Sequence, residues 1–87
     1  MSEVVVRYWA AARAAAGVAE DAVALTAGGR LEDVLAEVRS RHQPELSRVL
    51  GLASLLVDGA RIDRAAYPAT RLADGAVVEV LPPFAGG

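Results

Sequence analysis

The chain has 87 residues, 54% hydrophobic but only 5% aromatic, enough for one domain whose compact core is built from Val, Leu and Ala. It has no cysteine, which excludes a disulfide framework, a Cys-ligated zinc or iron–sulfur site and a Cys nucleophile. All nine basic residues are arginine, eleven acids leave a formal charge of −2, and without a basic excess nucleic acid is not the expected partner.

Glu3-Val4-Val5-Val6-Arg7-Tyr8-Trp9 is β-branched and aromatic and predicts a strand. Side chains alternate along it, so Val4, Val6 and Tyr8 share one face and Val5, Arg7 and Trp9 the other. The face that carries the charge is expected to be the open one. Ala10 to Ala16 is an alanine block around Arg13 and predicts a short helix. Gly17 is placed to end it in a left-handed conformation. Two turns of helix are marginal alone and need packing against the sheet. Asp21 to Thr26 alternates Val23 and Leu25 with small or polar residues, as a half-buried edge strand does. Ala27-Gly28-Gly29 is a turn.

Leu31 to about His42 is the main helix. Leu31, Val34, Leu35 and Val38 make one apolar stripe, and Glu32, Asp33, Arg39 and Arg41 suit the dipole at the two ends. No Ser, Thr, Asp or Asn precedes it, so Gly29 or Arg30 must serve as its cap. Pro44 lies just past its end. Leu46 to Leu52 reads as a linking turn. Ser54 to Val57, Asp58-Gly59 and Ala60 to Ile62 form a two-residue hairpin, the clearest local signal in the chain. Ala65 to Arg71 is an irregular excursion around Pro68. Leu72-Ala73-Asp74-Gly75 is a turn, and Ala76 to Leu81 the last strand. Glu79 belongs in water, so Val78 and Val80 point to the core and Leu81 is left on the less protected face.

The expected fold is α+β, one main helix on one face of a small mixed sheet. No apolar run reaches the ~18 residues of a membrane span, and no signal peptide is read ahead of the domain, so a cytoplasmic protein is expected.

Residues 1–81 read as the domain and 82–87 as an extended tail. Pro82 and Pro83 end strand pairing and hold a polyproline-like course. Phe84, Ala85, Gly86 and Gly87 follow. Six residues project about 20 Å, and the last two carry no side chain, so the end is thin enough for a narrow channel. A frayed terminus also accounts for such a tail. A working terminus would use the Gly87 carboxylate. With a pKa of about 3.5 it is ionised at neutral pH and can attack an activated phosphate.

Taken together, the opening Val-rich strand, the Ala-Arg helix ending at Gly17, the Leu31–His42 helix, the Asp58-Gly59 hairpin, the Leu72–Gly75 turn and the Gly86-Gly87 end resemble the ubiquitin-like β-grasp sulfur carriers of the MoaD/ThiS family. The ending Leu81-Pro82-Pro83-Phe84-Ala85-Gly86-Gly87 is most similar to that of the molybdopterin synthase small subunits. The resemblance implies a ubiquitin-like β-grasp and a cycle at Gly87. An E1-like enzyme uses ATP to make an acyl-adenylate there, sulfur displaces AMP, and the thiocarboxylate serves the cyclic pyranopterin precursor in the synthase large subunit. It implies no bound cofactor or metal and no catalytic group in this chain, which supplies a substrate-like end. Pro82 to Gly86 would thread into the partner.

Trp9, Arg61, Leu81 and Phe84 are the candidate partner-facing residues. Two roles are open to Trp9, an apolar contact or a partly buried core residue. Arg61 can meet an acid on a partner or stay solvated on the hairpin. His42, the one histidine, is expected to be solvated, and Asp58, Asp63 and Asp74 to be turn residues. Three other functions stay open. The first is a carrier for thiazole, cysteine or tRNA thiolation. The second is a ubiquitin-like modifier joined through Gly87, and the third a β-grasp binding module with an idle tail.

Overall fold

The structure is a computed structural model that describes residues 2–26 and 28–83. In chain order it has β1 (Ser2–Tyr8), α1 (Ala11–Ala16), β2 (Glu20–Leu25), α2 (Leu31–Arg41), α3 (Glu45–Leu50), β3 (Ser54–Val57), β4 (Ala60–Ile62), a 3₁₀ helix (Arg64–Ala69) and β5 (Val77–Leu81). The strands form one sheet in the order β2-β1-β5-β3-β4. β1 and β5 run parallel, and the other neighbours are antiparallel. The sheet is therefore mixed, as expected.

The alternation in the strands decides which face is covered. Val4, Val6 and Tyr8 of β1, Val23 and Leu25 of β2, Leu55 of β3 and Val78 and Val80 of β5 all face the core. Leu31, Val34, Leu35 and Val38, the apolar stripe of α2, close over them and are buried. Burying a Val or Leu side chain contributes about 1.5–3 kcal/mol, so these two layers hold most of the fold. Asp33 starts α2: its carboxylate accepts the Arg30 N–H at 2.9 Å, so the cap acts from inside the first turn.

Leu46 to Leu52, expected as a linking turn, holds α3 instead. Leu46 and Leu50, one helical turn apart, are buried, and α3 packs against α1. Tertiary packing thus stabilises two helices of six residues each, neither stable alone. Around Pro68 the excursion is more ordered than expected: it is the 3₁₀ helix, and it buries Tyr67.

Two glycines do what the sequence requires of them. Gly17 ends α1 at φ 75°, its N–H bonded to the Arg13 carbonyl at 2.9 Å. Asp58 and Gly59 join β3 to β4 at φ 48° and 85°. Positive φ at both positions is the type I′ geometry that matches strand twist. A Cβ at Gly59 would meet nothing within 4 Å, so only the backbone resists substitution there. Gly59→Ala is expected to lower stability by about 1–2 kcal/mol, and Gly59→Asn by less, in urea unfolding.

Candidate functional site

β5 carries the chain to Leu81. Beyond it Pro82 is half-buried and Pro83 exposed. Phe84, Ala85, Gly86 and Gly87 lie outside the described residues. The surface beside this exit is the open face of the sheet. Register places Glu20, Arg7, Glu79, Leu56 and Arg61 in one row across β2, β1, β5, β3 and β4. Arg7 Nε donates to Glu20 Oε2 at 3.1 Å, an exposed pair that contributes about 0–1 kcal/mol.

Trp9 and Leu81 follow this row at the exit end, on the face assigned to them by alternation. Trp9 is 47% exposed, which decides against the core reading. Its Nε1–H donates to Glu79 Oε2 at 3.0 Å. Leu81 is half-buried, and Val5, Val77 and Leu56 are half-buried on the same face. Arg61 is exposed on β4 and has no acidic partner within 4 Å among the described residues. The open face is therefore an apolar strip crossed by a row of charges, with an indole fixed at the tail end.

Asp58 and Asp74 are turn residues, as expected. Asp58 Oδ1 accepts the Val77 N–H at 2.9 Å, and Asp74 Oδ1 accepts the Glu3 N–H at 2.8 Å. Asp63 caps the 3₁₀ helix through its carbonyl, which accepts the Ala66 N–H at 2.9 Å.

His42 departs from expectation. Its side chain is 16% exposed, with Nε2 2.6 Å from Asp21 Oδ2. Tyr8 Oη donates to that same oxygen at 2.6 Å, and Arg41 lies 3.7 Å from Asp21 Oδ1. Tyr8 and His42 rings meet edge to face at 6.0 Å. Arg41 also bonds the Ala22 carbonyl at 2.9 Å. The cluster ties the end of α2 to β1 and β2 on the core side of the sheet. A histidine at a helix end carries no sequence mark of the strand carboxylate it will meet. Burial alone would push the Asp21 carboxyl up, but the hydrogen bonds from Tyr8 and His42 and the fields of His42 and Arg41 hold it below the usual value of 3.8. Burial and the bond to Asp21 push the Tyr8 hydroxyl far above the ordinary tyrosine range.

Among the described residues no set of three or more His, Cys, Asp or Glu is placed to hold a metal, and no helix is long and apolar enough to cross a membrane.

The profile of the ThiS family matches residues 6–87. The chain belongs to the ThiS family. No protein of curated function matches the chain at a significant level. Solved structures do. A provisionally assigned molybdopterin converting factor subunit 1 from Pyrococcus furiosus is 31% identical, covers 97% of this chain and 100% of its own, and superposes with a TM-score of 0.81. Small archaeal modifier protein 1 from Methanosarcina acetivorans is 29% identical, with 100% and 98% coverage and a TM-score of 0.81. A chain in the complex of subunits 1 and 2 of the molybdopterin-converting factor from Helicobacter pylori 26695 shares the fold at 24% identity, with 98% and 99% coverage and a TM-score of 0.72. The five-stranded mixed sheet with α2 on one face is the ubiquitin-like β-grasp, and this ThiS-family protein is a ubiquitin-like sulfur carrier.

Proposed function

We propose that this carrier is the small subunit of a molybdopterin synthase. The observation that carries the reading is the Pyrococcus furiosus neighbour, 31% identical over its whole length. The apolar-Pro-Pro-Phe-Ala-Gly-Gly ending supports it. Residues 1–81 are the scaffold and 82–87 the working tail. The Gly87 carboxylate attacks the α-phosphorus of ATP on an E1-like activating enzyme, and pyrophosphate leaves. The outer sulfur of an enzyme persulfide then displaces AMP to give an acyl disulfide. A second thiol on the activating enzyme cleaves the S–S bond, leaving the Gly87 thiocarboxylate and an enzyme disulfide. Pro82 to Gly86 thread the end into the large subunit, where the sulfur goes to the cyclic pyranopterin precursor. Adenylation turns a poor leaving group into a good one, and glycine leaves the acyl carbon unobstructed. The protein holds no cofactor of its own in this cycle, which runs in the cytoplasm.

The test is reconstitution. Thiocarboxylated carrier, synthase large subunit and precursor should yield molybdopterin, and a thiazole synthase should not consume the sulfur. Sulfur accepted only by the thiazole enzyme would move the protein to that pathway. The open face is the docking face, with Trp9, Leu81 and Phe84 as apolar contacts and Arg61 opposite an acid. Leu81→Asp should weaken large-subunit binding by roughly tenfold or more in a titration and leave the urea midpoint near wild type. A large loss of stability would place Leu81 in the core.

The 29% identical modifier protein from Methanosarcina acetivorans favours a second use, attachment to target proteins through Gly87. With no lysine among the nine basic residues, the chain offers no side-chain amine to a second copy. Each target site would then carry a single copy, visible as one mass increment per modified lysine.

A further inference from the structure

Two observations converge on Trp9. The Ala12 N–H bonds the Trp9 carbonyl at 3.0 Å, closing a tight turn between β1 and α1. Its second residue, Ala10, sits at φ 49°, ψ −123°, the place of the first central residue of a type II′ turn. Glycine takes that place readily, and alanine holds it only at a cost in backbone energy. On the other side the indole Nε1–H is held by Glu79 Oε2 at 3.0 Å. The turn fixes where the Trp9 backbone goes, and the hydrogen bond fixes where its ring lies. An exposed indole without such a bond samples several rotamers and loses that freedom when a partner covers it.

We propose that Glu79 is a positioning residue that holds Trp9 as a preformed anchor for the synthase large subunit, beside the point where the tail leaves the sheet. This rests on the reading of the chain as the small subunit. Trp9 and Leu81 stand at the end of the sheet from which Pro82 departs, so a partner that receives the tail also covers them. Glu79 acts through the indole, because its side chain spends its hydrogen bond on Trp9.

Trp9 is the only tryptophan, so intrinsic fluorescence reports it alone. Anisotropy of the free carrier and titration with purified large subunit form the test. Glu79→Ala should speed the local anisotropy decay and weaken binding about fivefold. Glu79→Gln, whose amide oxygen still accepts, should retain most of both. In the Trp9→Phe background, Glu79→Ala should cost no further affinity. Unchanged anisotropy in Glu79→Ala, or an equal loss of affinity in both backgrounds, overturns the proposal. If the wild-type carrier does not bind the large subunit, the functional reading fails instead, and the anisotropy still decides whether Glu79 fixes the ring.

Discussion

One residue appended after Gly87 is expected to abolish sulfur transfer and to leave folding unchanged. Among the described residues the last core side chain is Val80, and β5 ends at Leu81. A change beyond Gly87 is expected to shift stability by less than about 0.5 kcal/mol. The chemistry is placed differently. The proposed nucleophile is one carboxylate, and an added residue moves it about 3.5 Å along the chain and turns the Gly87 carbonyl into an unreactive amide. Intact mass after incubation with the activating enzyme, ATP and a sulfur donor is the readout. The wild-type carrier should gain the difference between sulfur and oxygen, and a thiol-selective alkylator should label it at Gly87. The extended chain and a chain lacking Gly86 and Gly87 should gain nothing. Sulfur transfer at the wild-type rate by the extended chain would sink the carrier mechanism at Gly87. The absence of cysteine makes the mass change unambiguous, because no internal thiol can hold the sulfur.

Most of the scaffold was legible because its signals are local. Alternation in Val4 to Tyr8 chose the buried face of β1, and the Leu31 stripe chose the buried face of α2. Asp58-Gly59 set the hairpin to the residue. α3 was missed although Leu46, Val49 and Leu50 have helical spacing, because the segment is six residues long and follows Pro44. Its helix exists through α1, which local pattern does not announce. The site divides in the same way. Alternation was enough to place Trp9 and Leu81 on the open face. Glu79 was assigned to water, and its bond to Trp9 depends on two strands 70 residues apart becoming parallel neighbours. Asp21 and His42 meet for the same reason: their strand and helix are brought together only by the whole fold.

That meeting carries the second large effect. Asp21→Ala is expected to destabilise the protein by about 2–3 kcal/mol, because the buried Tyr8 hydroxyl and His42 Nε2 both lose their partner. A domain of this size is stable by roughly 4–13 kcal/mol, so the loss is a large fraction of the whole. Tyr8→Phe should cost less, about 1 kcal/mol, since Asp21 keeps His42 and Arg41. The pH dependence separates the charge of Asp21 from its shape. Its carboxyl is held below 3.8 in the fold, so the unfolded chain binds the proton first as pH falls. The stabilisation is whole above that ordinary value and is lost as pH drops through the lower, folded value. Urea unfolding of wild type and Asp21→Asn should therefore differ most at neutral pH and converge in acid. At the other end Tyr8 stays neutral in the fold while an unfolded tyrosine ionises, so stability should fall as pH rises above 10.0. Tyr8→Phe should remove that alkaline fall while keeping the acid one. A difference between wild type and Asp21→Asn that persists unchanged into strong acid would mean that Asp21 acts by shape and not by charge.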